Sequence, residues 1–189
     1  MSLASTLGDF RILTVCTGNI CRSPAAERLL LDGLGTVASV TSAGTHALRG
    51  EPIDHSIALR LRRRGVSEGS FEARQLRSRH LVGANLVLPL TTWHRGRILT
   101  QMPIARKKTV TLLEFARIVG APEFPRLPDG SVQRRLRAMA RYAAEHRGIG
   151  DYVNEDDVPD PYGQGPEVTE YAFQLMESAV HTIVRVARG

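Results

Sequence analysis

The sequence predicts an α/β fold: a single-domain three-layer sandwich with a central four-stranded parallel sheet and helices on both faces. Three observations carry this. Short apolar runs alternate along the chain with segments of helical spacing, the pattern of βαβ units. The runs "FRILTV" and "ANLVLPL" are apolar without a polar face, as expected of strands covered on both sides. A chain of 189 residues with 42% hydrophobic content is long enough to bury one sizeable core.

The elements come in this order. Residues 10–15, "FRILTV", form a first strand. Residues 23–35 form a helix, with Ser23 at the N-cap, Pro24 at the first helical position and "GLG" as the stop. The β-branched stretch 36–44 is a second strand, and the turn-rich stretch 45–54 a loop. Residues 55–65, "HSIALRLRRRG", form an amphipathic helix closed by Gly65. A third strand at 84–90 leads to a helix at 91–102, a fourth strand at 107–112 and a helix over "LEFARIV". The Pro-rich piece 120–131 is a surface loop. Beyond it lie a helix at 132–148, an acidic loop at 151–167 and a last helix at 168–187, too little for a core of their own. Residues 1–9 are expected to be an N-terminal extension and 10–189 one domain.

The formal charge is +6, with basic clusters at 60–65, 73–80 and 134–142. Such a balance suits a nucleic-acid binder or an enzyme acting on an anion. Two cysteines make no disulfide framework, no secretory signal opens the chain, and no apolar run is long enough to cross a bilayer. A cytoplasmic protein without membrane partners is expected.

Both cysteines fall in one turn, "CTGNICRSP", between the first strand and the first helix. In a parallel α/β sheet the site lies at the carboxyl ends of the strands. The helix N-terminus there offers free N–H groups and a positive dipole end, and amides around Gly18 extend that cradle for an anion. Arg22 adds a planar fork suited to an oxyanion. Helix and guanidinium both favour the thiolate of Cys16, the nucleophilic form, and Ser23 is placed to donate a hydrogen bond to it. A Walker loop would need Gly-Lys-Ser/Thr, a redoxin motif two residues between the cysteines rather than four, and zinc more ligands. No metal or other cofactor is expected, since Arg22, the amides and the dipole supply the positive charge.

At these residues the chain resembles the low-molecular-weight protein tyrosine phosphatases, whose signature is V-C-x-G-N-x-C-R-S-P. The likeness continues through "TSAGT" (41–45), "GEPID" (50–54), "ARQL" (73–76), "NLVLPL" (85–90) and "DPYG" (160–163), and the length is similar to that of the longer, actinobacterial-type members. The resemblance implies that Cys16 is the nucleophile that becomes a phosphocysteine, that Arg22 binds phosphate and that Asp160 is the general acid. It places Thr17, Gly18, Asn19, Ile20, Cys21, Ser23 and Tyr162 around the substrate. It makes Asn19, Ser23 and Ser42 the support of the loop, and Cys21 a redox partner of the nucleophile. An acid opposite the nucleophile is what a phenolate leaving group needs, with Asp156 and Asp157 as rivals to Asp160.

Three positions depart from the pattern. Leu48 stands where members often carry an aromatic wall, Gly163 where a second aromatic can follow, and Phe71 where many have a histidine bonded to the loop asparagine. Tyr162 is then the obvious aromatic wall, and the Asn19 network is expected to rest on Ser23 and Ser42 alone. Of the remaining residues, His46 and His55 lie near the predicted site loop and read as surface histidines, with substrate contact as the alternative. Tyr162 and Tyr171 offer phosphorylation sites by residue type alone, Trp93 reads as core, and His94 begins a helix. The implied substrate is a phosphotyrosine protein or a small aryl phosphate, with phosphate or sulfate able to occupy the site. An arsenate reductase using an external thiol is the alternative reaction. A nucleic-acid module ranks last, because it leaves the Cys-Arg turn unexplained.

Overall fold

A computed structural model describes residues 10–148 and 156–189. Residues 1–9, expected as an extension, lie outside the described residues, as does part of the acidic loop. The strands are β1 (Phe10–Cys16), β2 (Ala38–Gly44) and β3 (Leu86–Pro89), all parallel, in the order β2-β1-β3. The helices are α1 (Arg22–Leu34), α2 (His55–Arg63), α3 (Ser78–Gly83), α4 (Thr92–Gln101), α5 (Leu112–Gly120), α6 (Val132–His146) and α7 (Pro166–Arg188).

Period-two geometry sends the side chains of β1 to opposite faces. Phe10, Ile12 and Cys16 join the larger core with α1, α5, α6 and α7, while Leu13 and Val15 join a smaller one with Leu81 of α3 and Ile98 of α4. The expected three layers result from this. Thr14, on the same face as Ile12 and Cys16, is fully buried and is satisfied by donating to the Ser23 carbonyl at 2.8 Å. Helix α7 packs against α1, α2, α5 and α6. Two arginines of the first basic cluster serve this packing, since Arg60 and Arg64 pair with Glu170 and Glu177 of α7. Among the described residues, no helix is long and apolar enough to cross a membrane.

Among the described residues the sheet has three strands, not four. Residues 103–108 wind into a 3₁₀ turn instead, where Lys107 is exposed and Lys108 donates to the Val82 and Ala84 carbonyls at 3.2 and 2.7 Å. Thr109 meets Val87 in a single parallel bridge, and Val110 N–H donates to the Val87 carbonyl at 3.1 Å. Thr111 then caps α5, accepting from Glu114 N–H at 3.2 Å, so the strand is cut to a rudiment. Two smaller corrections concern α1 and α3. Helix α1 starts at Arg22, and the residue before it, Cys21, gives no side-chain cap; Ser23 lies inside the helix and points at the site. Helix α3 went unforeseen because "SRHLVG" has no apolar period, with Leu81 its one buried residue.

Candidate active site

The turn after β1 is shaped by its carbonyls. Cys16, Thr17 and Gly18 C=O accept from Thr45, His46 and Leu48 N–H at 2.9, 3.0 and 3.0 Å, and Ile20 C=O accepts from Asp54 N–H at 2.9 Å. Tying the carbonyls outward turns the loop amides inward. Asn19 takes the left-handed conformation at φ 58°, which asparagine tolerates better than other side chains. Gly44 makes the close packing possible, because a Cβ there would lie 2.4 Å from the Thr17 carbonyl oxygen.

Behind the loop runs a directional chain of hydrogen bonds. Asn19 Nδ2 donates to Ser23 Oγ at 2.9 Å and to Ser42 Oγ at 2.8 Å, while its Oδ1 accepts from Arg74 N–H at 2.8 Å. Ser23 Oγ, already an acceptor, has its own proton to give to Cys16 Sγ at 2.9 Å. Ser42 Oγ donates onward to Glu27 Oε2 at 2.5 Å. Burial pushes the Glu27 carboxyl upward, against the lowering effects of the Ser42 bond and the Arg28 and Arg74 guanidiniums. The network thus has more support than Ser23 and Ser42 alone: Glu27 and the Arg74 amide close it. Phe71 sits under the Arg28 guanidinium, 5.7 Å from its ring centre.

The loop opens onto a cavity of about 160 Å³. Its floor is Cys16 with Thr17, Gly18 and Cys21; Arg22 stands at one side, and Ile20, Leu48, Tyr162, His46 and Asp160 form the rim. Asn19, Ser23 and Ser42 are fully buried behind this lining. Arg22 is 5% exposed, and among the described residues its Nε is buried with no hydrogen-bond partner. Its Nη1 reaches the Val158 carbonyl at 3.3 Å and its Nη2 the Asp160 carboxylate at 2.6 Å, across 138 residues of chain. The rival acids are engaged elsewhere: Asp156 pairs with Arg117, and Asp157 accepts from Thr92 N–H at 2.6 Å. Burial, with help from the charges of Asp54, Cys16 and Asp160, pushes the Cys21 thiol up to about 12, so it stays protonated. Both cysteines are free and buried.

Three residues differ from their default sequence reading. His46 is exposed and borders the cavity, the alternative to a plain surface histidine that its place near the site loop leaves open. Trp93, expected in the core, is 52% exposed beside it, with the His46 ring at 6.5 Å and the Arg97 guanidinium at 5.8 Å. His94 is buried at 1% exposure and its Nε2 contacts Thr17 Oγ1 at 2.9 Å. Burial, reinforced by Arg22, pushes His94 down to about 3. Unfolded, this ring takes a proton near 6.5, so its neutral burial contributes stability that is complete above that pH and lost as pH falls toward 3. Chemical denaturation at stepped pH should show stability falling below pH 6.5 by up to about 1.4 kcal/mol per unit from this residue, a slope absent in His94→Gln. An unchanged slope in that variant refutes the assignment.

Comparison with known proteins gives one consistent result. A family model described as "Low molecular weight phosphotyrosine protein phosphatase" matches residues 11–123. The protein-arginine-phosphatase of Geobacillus stearothermophilus is 38% identical over 106 residues, which is 56% of this chain and 71% of that protein. The low molecular weight protein-tyrosine-phosphatase Etp of Escherichia coli (strain K12) is 28% identical over 168 residues, 89% of this chain and 88% of Etp. Among solved structures, Vibrio vulnificus Wzb in complex with benzylphosphonate superposes with a TM-score of 0.68 at 27% identity, covering 94% of this chain and 99% of Wzb. The YwlE arginine phosphatase from Geobacillus stearothermophilus superposes at 0.69 with 28% identity, covering 93% and 91%.

Proposed function

The chain belongs to the low molecular weight phosphotyrosine protein phosphatase family, and we propose that it hydrolyses aryl phosphomonoesters, phosphotyrosine among them, through a phosphocysteine. One observation supports this above the others: Cys16, Arg22 and Asp160 line a single cavity although Asp160 is distant in sequence. The sulfur of Cys16 attacks phosphorus as the P–O bond to the aryl group breaks. Arg22 and the inward amides hold the equatorial oxygens. Asp160 gives its proton to the departing oxygen, so a phenol leaves. A water then attacks phosphorus and loses its proton to Asp160, and the P–S bond breaks, releasing inorganic phosphate and restoring the thiolate. For the dianion to bind, Asp160 must release Arg22, whose buried Nε then gains an acceptor.

An aryl group is favoured by the rim. Ile20, Leu48 and the ring of Tyr162 present apolar surface, and the Asp160 carboxylate lining the cavity already faces Arg22. A self-contained arsenate reductase would use further cysteines outside the loop, and both cysteines of this chain lie in it, so arsenate reduction would need an external thiol. Turnover of para-nitrophenyl phosphate, a phosphotyrosine peptide, phosphoarginine, and arsenate with a small thiol should be compared directly. The two aryl substrates are expected to exceed the other two by at least about tenfold in kcat/KM, a difference of about 1.4 kcal/mol. Faster turnover of phosphoarginine or arsenate would overturn the assignment.

A further inference from the structure

His94 has no part in the reaction as derived, yet it is buried against the loop that binds phosphate. Its hydrogen bonds assign its tautomer. Thr91 caps α4, and its Oγ1 accepts from His94 N–H at 3.1 Å. The same Oγ1 lies 2.7 Å from His94 Nδ1. The Thr91 oxygen has a second lone pair, but Thr91 is buried and among the described residues its proton finds its acceptor in Nδ1. Thr17 is half-buried and faces the cavity, so the proton left over belongs to Thr17 and Nδ1 is the bare nitrogen. The ring hydrogen sits on Nε2 and is donated to Thr17 Oγ1 at 2.9 Å. A second ring proton is opposed by burial and by the Arg22 charge.

Thr17 then has its oxygen occupied as an acceptor and its own proton uncommitted. It lines the cavity beside Cys16 and Arg22. Its backbone is held from the other side, the carbonyl accepting from His46 N–H at 3.0 Å and packed against Gly44. A β-branched side chain has few rotamers to choose from. We propose that His94, held by Thr91 as the Nε2–H tautomer, is a positioning residue that makes the Thr17 hydroxyl a donor to an oxygen of the bound phosphoryl group. This rests on the phosphatase reading and adds one side-chain donor to the amides and Arg22. A donor oriented before the substrate arrives is worth most in a site that excludes water.

The test uses Thr17→Val, Thr17→Ser, His94→Gln and His94→Phe in the full-length protein, with the double variant Thr17→Val/His94→Phe. Inorganic phosphate binding is followed by calorimetry, and kcat and KM on para-nitrophenyl phosphate by absorbance. The isosteric Thr17→Val should weaken phosphate binding and kcat/KM by about tenfold or more, the scale of a hydrogen bond to a charged acceptor. Thr17→Ser and His94→Gln keep a hydroxyl and a neutral donor, and should stay within about threefold of the parent, well under one hydrogen bond of that kind. His94→Phe should match Thr17→Val, and the double variant should lose no more than either alone. Unchanged phosphate binding and kcat/KM in Thr17→Val would overturn the inference, as would additive losses in the double variant. Loss of turnover in the parent protein would instead sink the phosphatase reading, while the phosphate titrations still decide the role of Thr17.

Discussion

Cys16→Ser is expected to abolish hydrolysis of aryl phosphates while leaving phosphate binding intact. The sulfur lines the cavity with the Ser23 hydroxyl at 2.9 Å, where the proposed nucleophile must stand. A serine hydroxyl in the same place remains protonated, and among the described residues no histidine or carboxylate is bonded to Cys16 to act as its base. The fall in kcat should be at least about 10⁴-fold, in line with the removal of nucleophiles elsewhere. The groups proposed to grip the anion, Arg22 and the loop amides, are untouched by the change. With one negative charge gone from beneath the anion, phosphate should bind as well as before or more tightly. Cys21→Ser is the control: burial keeps that thiol protonated, so its loss should leave the rate within an order of magnitude of the parent. Single-turnover assays and phosphate titrations of both variants decide the matter. A Cys16→Ser enzyme turning over at the parental rate would remove the phosphocysteine from the mechanism.

The parts of this site that could be read in sequence are the local ones. The β1–turn–α1 unit is contiguous, and its apolar strand, paired cysteines, arginine and Ser-Pro helix start all speak to the same geometry. Strands β1 and β3 are legible because covered strands are apolar throughout. The fourth strand misled because "KKTVTL" carries β-branched residues, yet its lysines and the capping need of α5 outweigh that propensity. Long-range partners left no local mark. Glu27 looks like a solvent-facing helix residue until β2 brings Ser42 against it. His94 meets Thr17 across 77 residues, and no periodicity announces that contact. Trp93 deceived for a related reason: a tryptophan opening a helix usually packs inward, but here the inward position next to it belongs to His94. The sequence can ask for a loop acid opposite the nucleophile, and the resemblance points to Asp160, but Asp-Pro is a common turn and its two acidic neighbours are set apart by their contacts to Arg117 and Thr92, which no local pattern shows.

Asp160→Asn should slow the reaction in a way that depends on what leaves. The carboxyl faces the cavity from its rim and is half exposed, so it can exchange its contact with Arg22 for one with a substrate oxygen. For an unactivated phenol such as tyrosine, bond cleavage without an acid expels a phenolate, and kcat should fall by about 10²–10⁴-fold. For a leaving group that is already acidic, such as para-nitrophenol, protonation matters less and the loss should be smaller. A plot of log kcat against leaving-group pKa should therefore steepen in the variant. The ion pair adds a second signature. Asp160 competes with a bound dianion for Arg22 Nη2, which it holds at 2.6 Å, and a neutral amide competes less. Inorganic phosphate should accordingly inhibit Asp160→Asn at lower concentration than it inhibits the parent, even as turnover drops. A purely structural role for the pair predicts the reverse, with looser phosphate binding and equal losses on every substrate. Equal losses across leaving groups, or an unchanged rate on phosphotyrosine, would show that the proton comes from somewhere other than Asp160.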